Sequence, residues 1–517
     1  MTSIKASLLS LTAALLAGLL LVSGCDFGDI NDDPTRPNEL DPDLLFSRST
    51  TYGPLRYNVY QRSQHLFANL YVQYFANLVP AFPTGRYESG GPYDDWATSF
   101  WQATYAAHGG VQFVGENVSN SGVNVQQVIR QTRDDPQKIN QTAIARIWKV
   151  WLLHRVTDAW GDVPYSEAFG GLEGNRTPTF DPQEEIYADM LSTLQSAASN
   201  LDPGITGDRF RFGDADLIYQ DDLAKWRKFA NSLRLRLAMR VSEVDPELAE
   251  QHVSDVLDNQ PIMDGNEDSA QRPSTSGGDF VTQNPLSIIA SFNDDRVSEK
   301  VVSTLRAYED PRLPVYADTI INAPRDTVLF RGLPNGLDAA QLSGVQSFKY
   351  SRLGDPLRAA DAPIPILLYP EVKFLEAEAA LRGWGPGNAR QHYEEGIRAS
   401  LAMYGITDPA LVQQYLQQPE VAWKEGGSFD AQLEQVITQK WIAIFTQGFE
   451  AWAEYRRTGY PELIQIPNPG QTNGNVPSRI LYPNTEKNTN AENVRAASQR
   501  MGGDAMTTDV WWDVDSQ

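Results

Sequence analysis

The 517-residue chain holds one cysteine, Cys25. No disulfide can staple such a chain, so its fold must be held by a packed core alone. At this length a core of that size is available, because the buried fraction of a chain grows with its length.

The place of the cysteine carries a second constraint. Lys5 precedes an apolar run over residues 6–22, broken only by Ser7, Ser10 and Thr12. The run is too short and too close to the start to require a membrane span. It ends in Val22-Ser23-Gly24-Cys25, the pattern of a lipobox. The small residues let extended backbone pass through a narrow peptidase site, and the cysteine sulfur takes the diacylglycerol. Residues 1–24 are therefore expected to be a lipoprotein signal peptide, with Cys25 the lipidated first residue of the mature chain and palmitate among its acyl groups. Residues 25–40 begin Cys25-Asp26-Phe27-Gly28-Asp29 and show no periodicity, as a polar tether would. Acyl chains at roughly 0.8 kcal/mol per buried CH₂ make such an anchor effectively permanent.

Beyond residue 40 the apolar spacing is mostly helical. Ile144, Ile147, Trp148, Trp151, Leu152 and Val156 lie on one helical face. Asp181-Pro182 reads as an N-cap and first-turn proline, followed by the face Ile186, Met190, Leu191, Leu194 and Ala198. Residues 223–241 give a third helix, and Asp245-Pro246 opens a fourth. Residues 371–381 and 389–403 form a pair around the turn Gly383–Asn388. Their small residues and Tyr393 follow a tetratricopeptide pattern. Residues 433–457 read as one long helix. Residues 262–365 are rich in Gly, Pro, Ser, Asn and Asp, with 326–331 as a candidate strand. The expected fold is mostly α: a tetratricopeptide-like helix-pair scaffold with an irregular, loop-rich second region and few short strands, in a single domain over 41–517.

A net charge of −23 argues against nucleic acid as a partner. The chain carries no zinc-protease helix, phosphate-binding loop or nucleophile elbow. Its five histidines have no metal-ligand spacing, and Gly383, Gly385 and Gly387 follow a helix rather than a strand. His154 and Asp158 share a helix face, read as a structural hydrogen bond. No catalytic residue, metal site or cofactor is expected, and the chain reads as a binding protein rather than an enzyme. The 12 Trp, 21 Tyr and 20 Phe supply both a core and rings for stacking on sugars or peptides. One loop, residues 80–96, concentrates such rings. Phe82, Arg86, Tyr87 and Tyr93 are its candidate ligand contacts, with Trp96 at the start of the next helix and the segment near Asn284 as the facing wall.

Several longer motifs run in order through the chain. They are Asp158-Ala159-Trp160-Gly161-Asp162-Val163-Pro164-Tyr165, then Trp226-Arg227-Lys228-Phe229-Ala230-Asn231-Ser232-Leu233-Arg234-Leu235-Arg236, then Asp310-Pro311-Arg312-Leu313 and Tyr369-Pro370-Glu371. The strongest runs from Gln439-Lys440-Trp441 through Gly448-Phe449-Glu450-Ala451-Trp452 to Arg456-Arg457-Thr458-Gly459-Tyr460-Pro461. Together they resemble the SusD/RagB-like nutrient-binding outer-membrane lipoproteins. The resemblance implies a helical scaffold on the outer face of the outer membrane, capping a TonB-dependent, SusC-like transporter and capturing a glycan or peptide as its lid. The competing expectation is a tetratricopeptide-like scaffold at the outer membrane that binds only protein partners.

Cys25→Ser is expected to abolish lipidation and release the protein from the membrane fraction or leave it uncleaved. Fractionation and mass measurement of the mature N-terminus decide it, and an unmodified Cys25 at that terminus would refute the anchor.

Overall fold

The computed structural model describes residues 40–89, 96–105, 120–277, 281–320 and 329–514. Cys25 and Tyr93 lie outside these residues.

Ten helices carry the scaffold: α1 (Pro42–Tyr52), α2 (Ser121–Thr132), α3 (Ile139–Trp160), α4 (Gln183–Asn200), α5 (Leu223–Arg240), α6 (Pro246–Asn259), α7 (Tyr369–Arg382), α8 (Ala389–Ala402), α9 (Phe429–Ala443) and α10 (Gly448–Thr458). Each of α1 to α5 packs on the next, α5 also packs on α7, and α7 packs on both α8 and α9. This is the stacked arrangement that the tetratricopeptide pattern implied. Nearly every residue of α3 is buried, on all sides of the helix, so it is a central core helix rather than an amphipathic surface one. Gly161 ends it with φ +81, a backbone state that costs a β-carbon-bearing residue energy. In the α7–α8 pair, Tyr393 fills the gap between helices, with its hydroxyl donating to the Val421 carbonyl at 2.7 Å. No helix among the described residues is long and apolar enough to cross a membrane.

Strands are few and short. β1 (Phe75–Asn77) pairs antiparallel with β3 (Asp295–Val297), and β2 (Ala270–Arg272) with β4 (Ile364–Leu367). Both pairs lie at the junction of the helical scaffold with the loop-rich region, which leans on α5 and α7 through β2 and β4.

Two expectations are corrected, and a third lies mostly outside the described residues. The single helix over 433–457 is two, α9 and α10, separated at residues 444–447, where Thr446 takes φ +79. The freed Thr446 carbonyl accepts from the Tyr60 hydroxyl at 2.8 Å and Gln64 Nε2 at 2.7 Å. Gly448 restarts the chain at a point where a β-carbon would collide with Asn69. At the start of α4, Pro182 rather than Asp181 is the cap residue. Asp181 instead accepts from the backbone of Tyr165 and Ser166, and Asp162 receives the Gln183 amide at 2.9 Å. The candidate strand over 326–331 falls mostly outside the described residues, and its described end, 329–331, is not in a strand.

Eight buried charges join four of the helices. On α5, Arg236 forks onto Glu371 of α7 with both contacts at 2.7 Å. Arg240 reaches Glu450 of α10 at 2.7 Å and Glu454 at 3.0 Å. Lys440 of α9 lies 3.1 Å from Glu454 and 3.5 Å from Glu450. Arg457 of α10 forks onto Glu378 of α7 at 2.7 Å and also meets Glu454 at 2.8 Å. Burial alone would raise the Glu450 carboxyl, but Arg240, Arg236 and Lys440 outweigh it and hold the group down to about 2.

Arg457→Met is expected to destabilise the protein by about 3–5 kcal/mol, because it takes the forked partner from the buried Glu378 and leaves that carboxylate to Arg382 alone. Removing the exposed Arg390, which pairs with Glu394 on the surface of α8, should leave the denaturant midpoint unchanged within error. Urea titration of the two variants measures the difference.

Candidate functional site

A cavity of about 740 Å³ opens between the helical scaffold and the loop-rich region, large enough for a small organic ligand or a few sugar units. Three chain features create it. The break between α9 and α10 withdraws a turn of helix, so that Phe445, Thr446 and Gln447 line the wall. The segment Gln61–Ala68 winds as a wide π-helix, a form frequent at functional sites, and brings Gln64 to the same wall. The third feature is the proline-rich stretch at the rim that runs into β4, with Pro356 and Pro363 before the strand and Pro365 within it. Asn284 holds that rim by donating to the carbonyls of Leu357 and Ala359 at 2.8 and 2.9 Å.

Glu267, Pro356, Pro363 and Ala402 at the mouth are exposed, and Tyr404 beside them is partly buried. The floor is set by α3. Trp151, His154, Arg155 and Asp158 all face this cavity, joined by Arg236 of α5 and Glu450 of α10. Spacings of three and four along α3 place these side chains on one stripe.

The floor groups differ in how they are satisfied. Arg236 and Glu450 belong to the buried charge network. Asp158 accepts from the Tyr187 hydroxyl and from Trp512 Nε1 at 3.1 Å, and its burial raises its carboxyl above the usual range. His154 does not bond Asp158 as the sequence suggested. Its Nδ1 lies 3.3 Å from the Val150 carbonyl, and burial together with Arg236 drives it well below the ordinary histidine range, so it is a neutral ring near pH 7. Arg155 stacks over the Trp151 ring at 3.8 Å and donates to the Gly53 carbonyl at 2.6 Å. Burial, and then Arg236, lower it to about 9. The Trp151, Arg155 and Gln447 side chains each keep a buried nitrogen without a hydrogen-bond partner (Nε1, Nε and Nε2). No group of three metal-ligating side chains occurs among the described residues.

The described part of the loop, residues 80–89 with Trp96, is placed differently from the expectation. Tyr87 is 1% exposed, sits at φ +57, and donates to the Tyr71 carbonyl at 3.2 Å. Phe82 is buried, with its ring 5.6 Å from that of Trp96. Arg86 is held by Glu88 at 2.8 Å. Trp96 is partly buried beneath the Arg62 guanidinium, 5.0 Å from the ring centroid. The rings of Phe82 and Tyr87 thus pin the loop to the core, since a ring packed on both faces has none to offer a ligand. Neither these residues nor Arg86 and Trp96 border the cavity, and Tyr93 lies outside the described residues. Asn284 is at a cavity wall, but not one facing this loop. Trp151, Arg155 and Gln447 escaped the sequence reading because aromatic and amphipathic helix residues look like core. Only His154 and Asp158 marked that stripe of α3.

Comparison with known proteins gives the following. Residues 34–483 match the SusD-like family described as starch-binding and associating with the outer membrane. No curated protein matches in sequence. Among solved structures, a chitin-binding protein shares 31% identity with a TM-score of 0.78, over 92% of this chain and 100% of its own. A chitin-binding SusD homologue from Flavobacterium johnsoniae shares 28% with a TM-score of 0.79, over 92% and 99%. A SusD homologue from Bacteroides vulgatus shares 27% with a TM-score of 0.78, over 92% and 98%.

Tyr87→Ala is expected to cost about 3–5 kcal/mol of stability, as truncation of a buried aromatic does. Tyr87→Phe, which removes only the hydroxyl bond, should cost about 1 kcal/mol. Thermal or urea unfolding of both variants checks this, and a Tyr87→Ala protein of native stability would return that ring to the surface.

Proposed function

Because the chain belongs to the SusD-like family, matched over residues 34–483, we propose that it is a non-catalytic glycan-capturing lipoprotein, anchored through Cys25 on the outer face of the outer membrane. It delivers its ligand to a TonB-dependent, SusC-like transporter and serves as that transporter's lid. The observation that carries the glycan over the peptide is the pair of chitin-binding structures, at 31% and 28% identity over 92% of this chain.

The physical features support a binder. A wide cavity with apolar walls and a few placed polar groups is the usual form of a small-molecule site, whereas a scaffold for protein partners alone needs none. The stacked helices and their buried charges give the rigid body that a lid must be if it is to swing as a unit. Its contact with the barrel is expected to be polar and uneven, strong near a hinge and weak elsewhere, as in other surfaces that open and close.

Two measurements test this reading. Detergent extraction of native membranes with a tagged protein should co-purify a large β-barrel, and calorimetry should detect binding of a glycan oligomer such as a chitin oligosaccharide without its cleavage. Recovery of no barrel would count against the lid. Hydrolysis of the oligosaccharide by the pure protein would count against a non-catalytic role.

A further inference from the structure

The cavity floor is uneven in charge. Four of its ionisable groups have their charge or acceptors answered within the protein. Arg236 is forked by Glu371, and Glu450 is met by Arg240. Asp158 is claimed by Tyr187 and Trp512, and His154 rests on a carbonyl. Arg155 is the exception. It is 8% exposed and borders the cavity. Its partners are one carbonyl, that of Gly53, and the ring faces of Trp151 and Phe100, at 3.8 and 5.2 Å. Among the described residues no carboxylate pairs with it, and its Nε is buried without an acceptor.

A buried guanidinium without a counter-ion is costly, and natural interiors rarely keep one unless something else supplies the charge. Ring faces and a single carbonyl offset part of that cost. A carboxylate would offset the rest, because two parallel N–H···O bonds match the guanidinium fork. The neighbouring chemistry points the same way. Trp151 and Gln447 line the same cavity, and each carries a further unpartnered donor. The walls above them are Pro285, Pro363, Pro365 and the half-buried Tyr404, flat apolar surfaces suited to the C–H face of a pyranose ring.

We infer that the cavity takes the end of a glycan that carries a carboxylate, a uronic acid or another acidic sugar, and that Arg155 is the residue that selects it. This rests on the glycan-capture reading and deepens it: the neutral body of the sugar chain lies against the proline-rich rim and Tyr404, while the acid reaches the floor. The protein's net charge of −23 does not oppose this inside the cavity, because repulsion from surface acids is screened over about 8–10 Å at moderate salt.

The test uses the full-length mature protein and trigalacturonate, its neutral methyl ester, and a chitin trimer in calorimetric titrations. Trigalacturonate is expected to bind at least about tenfold more tightly than the ester, the range of one charge-assisted pair. Arg155→Met should erase that difference. Since Arg155 is buried, a second variant guards against misfolding: Ala402→Trp, at the exposed end of α8 on the cavity mouth, should block trigalacturonate while leaving the circular dichroism spectrum native. Equal affinity for the acid and the ester, both blocked by Ala402→Trp, overturns the selection by charge and leaves glycan capture standing. Chitin or acidic oligomers bound undiminished by Ala402→Trp overturn the cavity as the site. No binding of any of the three sugars, with a peptide bound instead, overturns the glycan reading itself.

Discussion

The charge network between α5, α7, α9 and α10 is what the rest of the structure leans on. Four cations and four anions, Arg236, Arg240, Lys440 and Arg457 against Glu371, Glu378, Glu450 and Glu454, cancel in total. Burying one ion from water costs several kcal/mol, so each charge is tolerable only while its partners keep their places. That makes the network a device for registry more than for raw stability. A slip of one helix by one residue would strand several charges together. It explains why the motifs in which this chain resembles its family include residues such as Arg236, Glu371, Lys440, Glu450 and Arg457, none of which is at a surface. They mark how four helices are fixed relative to each other.

The cavity borders the same clamp. With α7 and α9 held by Glu371, Glu378 and Lys440, and α10 by Glu450 and Glu454, the charge network brackets the point where the chain leaves the helical path, at residues 444–447. The displaced backbone is satisfied from a distance, by Tyr60 and Gln64 on the Thr446 carbonyl. The lost turn leaves room that the loop-rich region roofs but does not fill. Arg236 and Glu450 belong to both the network and the cavity lining. The rigidity of the scaffold and the shape of the site therefore share side chains, and a ligand at the floor would meet side chains already locked in place. Preorganisation of that kind lowers the ordering cost of binding.

The loop over residues 80–96 shows the opposite case. Four aromatics and an arginine among prolines and glycines suggest an exposed platform, because local sequence gives no reason to bury them. For Tyr87 the tertiary structure supplies the reason. Tyr71, Gln73 and the backbone of Gly470 and Ile464 surround the turn at Tyr87, drawing the ring inward. Contacts nearly four hundred residues apart in sequence decide it, and no local window contains them.

Local pattern was sufficient for most of the scaffold. The 3.6-residue spacing of large apolar side chains located α3, α5, α7 and α8 to within a few residues, because an amphipathic or fully buried helix writes its period into the chain whatever it later packs against. The lone Cys25 ruled out disulfides for the same kind of reason, needing no partner to be read. The split of α9 from α10 was invisible because Trp441, Ile444, Phe445, Phe449 and Trp452 keep an apolar rhythm across it, and only Gly448 breaks the pattern. Which cation would lack a counter-ion could not be read at all. Arg155 and Arg236 are the same residue type on buried helix faces, and only the folded positions of Glu371 and Glu450 give one a partner and leave the other without. Sequence alone determined most of the helices, since backbone hydrogen bonding and side-chain period are local. Tertiary structure decided the site, since pairing of charges and closure of a cavity depend on distances between remote segments.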